Sequence, residues 1–287
     1  MICSMLPVLL LGCLLQAAAP PPAPAPQNPS PMVEHTRAHP RIEKQTLPGR
    51  RETLELGTLF IAEKLQRKRK LPLLIFFHGG AWLPEVAAAR HGMAAITVQI
   101  GAGSGVYARA FAEPARLLAM LKEAESKSGF EFGEVTLGGW SAGCAALREI
   151  SKSPEAYARV ANFLCIDGIH TGYVGGKPGP QESQLELPNV EAYLPLVRDA
   201  VAGRKRLVIT HAEIFPGTFA STTETADWLL AQAGIKRRPV ARFGPMGTQQ
   251  LSEAKAGKFL LRGFAGNSAP DHVDQLHSLP EYLKWLR

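Results

Sequence analysis

The sequence predicts an α/β fold in which a mostly parallel, twisted sheet carries helices on both faces. Short apolar runs with the composition of strands alternate along the chain with stretches of helical periodicity. The motifs suited to chemistry follow directly after such runs, and a parallel sheet binds ligands beyond the carboxyl ends of its strands. Because each parallel crossover needs a helix, this alternation predicts a sheet covered on both sides.

Each predicted element follows from a local pattern. Residues 53–62 alternate between polar and apolar and suggest an opening antiparallel strand, and residues 73–77 form a wholly apolar run. The helix predicted over 111–126 has apolar residues at helical spacing. In chain order, the remaining predicted strands are 94–100, 134–137, 160–166, 207–210 and 259–264, and the remaining predicted helices are 142–150, 222–233 and 274–286.

A serine motif follows the strand predicted at 134–137. The pentad Gly139-Trp140-Ser141-Ala142-Gly143 has the form G-x-S-x-G and precedes a predicted helix. In this strand-turn-helix context a serine is held on a tight turn as a nucleophile. A side chain at either glycine would collide with the neighbouring strand or helix, so the spacing favours a catalytic turn.

A second glycine motif ends the run at 73–77. His78-Gly79-Gly80-Ala81-Trp82 offers backbone N–H groups at a strand end, as required to hold a developing oxyanion. With both motifs, the chain resembles the α/β-hydrolase family, in particular its serine esterases and lipases, over residues 50–287. The resemblance implies a nucleophile, an acid and a histidine in that order. Ser141 matches the nucleophile, and the oxyanion hole matches Gly80, Ala81 and Ala142.

The base expected from this resemblance is His272. It lies in a predicted loop between the last strand and the last helix, where the family places its histidine. His277 is the less favoured alternative because a side chain within a helix is fixed to one face. A serine hydroxyl needs such a base to take its proton.

Three carboxylates are candidates for the acid. Asp167 ends an apolar strand, where an unpaired carboxylate would be costly, and some lipases of the family carry their acid there. Glu213 follows the next strand, the commoner family position, and is the alternative acid. Asp271 adjoins the histidine, but it is better explained as a helix cap.

Two segments are expected to border the substrate cleft. The Gly- and Pro-rich residues 168–196 lie where the family inserts a cap. The glycine loop 101–105 lacks the G-x-G-x-x-G spacing of a dinucleotide site. Its expected role is therefore that of a lip over the cleft. Four aromatic residues are candidates for the cleft wall or the core: Trp82, Tyr107, Trp140 and Tyr173.

The N-terminus predicts an export signal over residues 1–19, followed by a Pro-rich disordered tether over 20–46 and one catalytic domain over 47–287. Its apolar core is shorter than the roughly 20 residues that a spanning helix needs. Cys13 follows Leu-Leu-Gly, as in a bacterial lipoprotein signal. Plain secretion and a lipid anchor through Cys13 are therefore both open, and the expected location is secreted, periplasmic or in the cell envelope.

Composition and residue spacing argue against a nucleic-acid-binding protein and against a zinc protein. The net charge of +7 is modest, and its densest source, Lys64 and residues 67–70, is predicted to be a solvated hairpin tip without the aromatic residues of a nucleic-acid site. Cys144 and Cys165 are expected to be buried thiols. No Cys or His spacing resembles a zinc site, and neither a cofactor nor a metal is expected.

The sequence thus predicts an exported serine hydrolase that cleaves small or polymeric carboxylic esters. An amide or peptide hydrolase would use the same residues, because the substrate pocket separates the two. A non-catalytic binding protein on a hydrolase scaffold is the third possibility.

Overall fold

A ten-stranded sheet forms the centre of the molecule. The computed structural model describes residues 38–178 and 183–287. The strands lie side by side in the order β1-β2-β4-β3-β5-β6-β7-β10-β9-β8. Their bounds are β1 Gly49–Leu54, β2 Gly57–Ala62, β3 Lys70–Phe77, β4 Ala94–Val98, β5 Glu131–Trp140, β6 Val160–Ile166, β7 Arg206–Ala212, β8 Arg238–Phe243, β9 Gln249–Ala256 and β10 Phe259–Phe264.

The six central strands, from β4 to β10 in the sheet order, are parallel to one another, and antiparallel pairs close both edges. Alternate residues of β3 belong to different cores: Leu73, Ile75 and Phe77 pack on one face, and Leu74 and Phe76 on the other. A strand buried on both faces must be covered by helices on both sides. The predicted α/β class, with a mostly parallel sheet and helices on both faces, is therefore confirmed.

Ten α-helices connect or cover the strands in the described part of the chain. They are Trp82–Arg90, Ser104–Phe111, Arg116–Ser128, Cys144–Ser151, Pro154–Arg159, Leu187–Glu191, Leu194–Val201, Thr222–Ala233, Ala269–His277 and Leu279–Tyr282.

Three predicted elements are divided in the structure. The helix predicted at 274–286 is the helices Ala269–His277 and Leu279–Tyr282 followed by the 3₁₀ helix Leu283–Leu286. The strand predicted at 53–62 is a hairpin of β1 and β2. Gly57, which opens β2, has φ +105°, and a Cβ there would lie 2.2 Å from the Thr97 carbonyl oxygen, so glycine is needed at this turn. The helix predicted at 111–126 is two helices, Ser104–Phe111 and Arg116–Ser128, because Pro114 restrains the residue before it from helical geometry.

The basic segment around Lys64 does not form the hairpin tip that was predicted. Its charged residues are exposed as expected. The strands on either side are β2 and β3, however, and each of them pairs with β4 rather than with the other. The segment is therefore a solvated connection between separate strands.

The two cysteines of the domain, Cys144 and Cys165, are free and fully buried, as predicted. In the part of the chain that is described, no helix combines the length and the apolar composition needed to span a bilayer. The predicted export signal, Cys13 and most of the predicted tether fall outside the described residues. Residues 38–46 of that tether contact the domain, since His39 and Arg41 both bind the Asp274 carboxylate.

Candidate active site

Ser141 stands on a strained turn at the carboxyl end of β5. Its φ is +50°, which is a left-handed conformation that few residues other than glycine adopt. A Cβ on Gly139 would come within 2.8 Å of the Cys144 backbone nitrogen, and one on Gly143 within 2.0 Å of the Phe77 carbonyl oxygen. Both glycines are therefore required for the turn to pack between β3 and the following helix.

The loop after β3 leaves the sheet beside this turn, since Phe77 and Gly139 are register partners. The Gly79 N–H donates to Gln99 Oε1 at 2.7 Å. Among the described residues, the N–H groups of Gly80 and Ala81 have no acceptor. Ala142 lies in the first turn of the 3₁₀ helix Ser141–Gly143, where N–H groups lack a partner within the helix. Of these three amides, only that of Ala142 belongs to a residue that lines a cavity next to Ser141.

Asp167 follows β6 directly and is 2% exposed. Its Oδ2 lies 2.6 Å from His272 Nδ1, and its Oδ1 accepts hydrogen bonds from the Ala212 N–H at 2.9 Å and from Thr222 Oγ1 at 2.5 Å. Burial alone would raise the pKa of this carboxyl, but hydrogen bonds from His272, Thr222 and Ala212 outweigh it and lower the pKa to about 2. The carboxylate is therefore ionised at neutral pH and aligned on the imidazole.

Neither of the other two candidate acids forms a hydrogen bond with His272 among the described residues. Glu213 is exposed, and among the described residues its carboxylate forms no hydrogen bond or ion pair. Asp271 is buried, but it accepts hydrogen bonds from the backbone N–H groups of Asn267 and Ser268 and from Ser268 Oγ. It is thus the third residue of a capping box whose N-cap is Ser268.

His272 lies in the first turn of the helix Ala269–His277, not in the loop before it, because the capping box starts this helix five residues earlier than predicted. The Trp140 Nε1–H donates to the His272 carbonyl oxygen at 3.0 Å, and the two rings lie 4.6 Å apart. Trp140 immediately precedes Ser141, so this contact holds the imidazole beside the serine turn. His277 lies one turn further on against Trp82.

Two cavities meet at Ser141. The larger, about 650 Å³, is lined by Ser141, His272 and Asp167 together with the loop that follows β7. The smaller, about 380 Å³, is lined by Ser141, Ala142, residues 102–104 and part of the segment 170–189. The glycine loop and the segment after Asp167 therefore border the cleft, as the sequence predicted.

None of the four candidate aromatic residues lines the cleft, and the alternative predicted for them, a place in or against the core, is the one found. Tyr107 and Tyr173 are buried in the core, and neither Trp82 nor Trp140 lines either cavity. The rings that do so are Phe215 and Phe219, which are 61% and 38% exposed. In the sequence, the one indication that Phe215 and Phe219 border the cleft is the position of the loop 213–220, which follows a strand of the parallel sheet at the end where ligands bind.

Sequence reasoning also missed the roles of Thr222 and His170. Thr222 was assigned only to a helix, but its hydroxyl reaches the Asp167 carboxylate from 55 residues away. His170 lies three residues after Asp167 and lines both cavities.

One group of described residues brings potential metal-ligand atoms within 4.8 Å of one another: His39, Asp271 and Asp274. Arg41 donates from Nε to Asp274 Oδ1 at 2.8 Å, and Ser268 Oγ donates to Asp271 Oδ2 at 2.6 Å. The carboxylates are thus engaged by a guanidinium and a helix cap, and the group joins residues 39–41 to the helix that carries His272.

The buried His211 predicts a pH effect on the stability of the fold. His211 Nε2 lies 2.7 Å from Arg237 Nη1, and burial and the charge of Arg237 lower its pKa to about 4. Between pH 6.5 and 4 the unfolded chain binds a proton at this position and the folded chain does not. We therefore expect the free energy of unfolding to fall as the pH is lowered through this range, by up to about 1.4 kcal/mol per pH unit from His211.

Urea unfolding at pH 7, 6, 5 and 4.5 measures this dependence. His211→Gln retains an acceptor for Arg237 and a donor for Thr223 but does not titrate, so its pH slope should be smaller than that of the wild type. Equal slopes for the two proteins would rule out the contribution assigned to His211.

No family model matches the chain, and no curated protein matches it. Solved structures similar to it include Est1E from Butyrivibrio proteoclasticus, with 12% identity, a TM-score of 0.45, and coverage of 82% of this chain and 97% of that chain. Acetyl xylan esterase from Aspergillus awamori has 14% identity, a TM-score of 0.48, and coverage of 80% and 92%. A hormone-sensitive lipase from a metagenome library has 12% identity, a TM-score of 0.47, and coverage of 86% and 87%.

Proposed function

We propose that this chain is a serine hydrolase that cleaves carboxylic esters through an acyl-enzyme on Ser141, with His272 as the base and Asp167 as the acid. One observation carries the proposal. The ionised Asp167 carboxylate lies 2.6 Å from His272 Nδ1, on the wall of the cavity that also contains Ser141 on its strained turn. A buried carboxylate, an imidazole and a serine in one cleft form the arrangement that activates a hydroxyl.

The hydrogen bond to Asp167 assigns the imidazole proton to Nδ1. The Nε2 lone pair is then available to take the proton of the Ser141 hydroxyl as its oxygen attacks the ester carbonyl. Asp167 stabilises the imidazolium that forms and keeps the ring oriented. Its low pKa keeps it from taking the proton itself at neutral pH.

The oxyanion that develops on the carbonyl oxygen needs N–H donors that have no other partner. Ala142, next to the nucleophile, supplies one, and the N–H groups of Gly80 and Ala81, which have no acceptor among the described residues, are the candidates for the others. His272 then gives its proton to the alcohol oxygen as the bond to the carbonyl carbon breaks. A water molecule repeats the sequence on the acyl-enzyme and releases the acid.

Small or polymeric esters remain the proposed substrates. The larger cavity is open and rimmed by the exposed Phe215 ring, so a long alcohol group can extend out of it. Export of the protein, either as a secreted form or anchored through Cys13, remains a prediction from the sequence alone.

One ester and two amides, compared as substrates, test the type of bond cleaved. We expect hydrolysis of p-nitrophenyl acetate with a rapid first release of p-nitrophenol, because acylation precedes a separate deacylation step. The p-nitroanilide of the same acid and a short peptide amide should be cleaved far more slowly. A faster reaction with the amides would replace the esterase assignment by an amidase one. If neither the ester nor the amides react, the remaining possibility is a non-catalytic binding protein on a hydrolase scaffold.

A further inference from the structure

The two cavities beside Ser141 have different positions relative to the proposed general acid. His272 lines the larger cavity and not the smaller one. In ester cleavage the imidazolium must reach the leaving oxygen, whereas the acyl group stays on the serine. The larger cavity therefore takes the alcohol part of the substrate, and the smaller one takes the acyl part.

The smaller cavity suits a short acyl chain that carries a polar atom. Its volume is about 380 Å³, and polar side chains contribute to its wall: Ser104, His170, Thr171 and Asn189. The loop after β7 gives the larger cavity the apolar side chains of Ile214, Phe215 and Pro216, whereas His170 and Phe219 line both cavities. Pocket walls of this kind select ligands by a few placed polar groups.

His170 is the polar group that lacks a partner. Its Nδ1 is buried without a hydrogen bond, and among the described residues Nε2 has no partner either. The ring is fixed edge-on against Phe219, with centroids 5.4 Å apart at 88°. Because Nδ1 has no acceptor for a proton, we assign the proton to Nε2, the other ring nitrogen of this cavity-lining residue.

The imidazole of His170 is neutral at pH 7, since burial lowers its pKa to about 4 despite the nearby Asp167 carboxylate. A neutral ring adds no second cation beside His272. It is held by packing and supplies one N–H donor, and a donor without a protein partner discriminates between ligands with and without an acceptor.

We propose that His170 donates a hydrogen bond from Nε2 to an oxygen atom of the acyl chain and so selects esters of short, oxygen-bearing acids, such as alkoxy and hydroxy acids. This inference rests on the proposed function, because it assigns the cavities from the position of the general acid. The role is one of specificity, and His170 takes no part in the bond changes.

Two esters that differ in one atom test the proposal. p-Nitrophenyl methoxyacetate has an ether oxygen where p-nitrophenyl butyrate has a methylene group, so the two are nearly equal in size. In His170→Phe the ratio of kcat/KM for methoxyacetate to that for butyrate should fall about 5- to 10-fold relative to the wild type, the effect of one neutral hydrogen bond. The change should be mainly in KM. His170→Gln keeps an N–H donor and should restore part of the ratio.

His277→Phe is the matched control, since His277 also has a buried, unpartnered Nδ1 but lines neither cavity. It should leave the ratio at the wild-type value. If His170→Phe does not fold, His170→Met removes the donor with a flexible apolar side chain and gives the same comparison.

An unchanged ratio in a folded variant without the donor would overturn the role of His170. A ratio that changes only when the ether oxygen is moved to the alcohol, in 2-methoxyethyl against butyl esters, would overturn the placement of the His170 hydrogen bond on the acyl chain. If the wild type hydrolyses none of these esters, the proposed function itself fails, which separates the two results.

Discussion

Replacing Ser141 by Ala is expected to lower kcat for p-nitrophenyl acetate by at least about 10⁴-fold, because losing the nucleophile of a serine hydrolase has an effect of this order or larger. The fold should survive, since the hydroxyl is removed at a turn whose geometry depends on Gly139 and Gly143. Steady-state kinetics on protein with a wild-type circular dichroism spectrum measure the effect.

Ser151→Ala is the control for this substitution. Ser151 ends the helix that follows the turn, and its hydroxyl donates to the Arg148 carbonyl oxygen without lining either cavity. Its kcat should stay within about twofold of the wild type, as for most surface substitutions. A Ser141→Ala protein with a tenth of the wild-type rate would show that another group is the nucleophile.

The second large effect is expected for Asp167→Asn, with a loss in kcat of about 10⁴-fold. The amide has nearly the shape of the carboxylate, but its N–H₂ group can face Nδ1 of His272 and favour the tautomer with the proton on Nε2. That tautomer cannot accept the serine proton. The buried site also loses the charge that balances the imidazolium.

Glu213→Gln is the matched variant, because Glu213 was the alternative acid and lines the same cavity. Its carboxylate has no hydrogen-bond partner among the described residues, so kcat should change by no more than about threefold. The kinetics of both variants at pH 7 decide between the two carboxylates. A larger loss in Glu213→Gln than in Asp167→Asn would reverse the assignment.

The sequence was sufficient where an element is defined by its own residues. The bounds predicted for β6, β10 and the helix Thr222–Ala233 match the structure. Both strands are mostly apolar, and the helix has a capping box at Ser221 and Glu224 and ends before Gly234.

Two features of the fold were missed for different reasons. The edge hairpin of β8 and β9 was not predicted, because β8 is mostly exposed and contains Pro239, which is tolerated only at a sheet edge. The start of the helix Ala269–His277 was missed although Ser268 and Asp271 form a recognisable capping box.

The choice of acid also required three dimensions. Asp167 and Glu213 both follow strands that are adjacent in the sheet, β6 and β7, so their positions in the sequence are equivalent. The difference arises from φ +43° at Asp167 and from Thr222, whose hydroxyl orients the carboxylate. Neither the backbone turn nor a contact across 55 residues can be derived from local pattern.

The nucleophile is located by reacting the protein with a fluorophosphonate probe and mapping the adduct by intact mass and peptide analysis. The assignment of Ser141 requires one adduct per folded chain, on the peptide that contains Ser141, and no adduct on Ser141→Ala or on heat-unfolded protein. An adduct on another residue, or no reaction with the folded wild type, would contradict it.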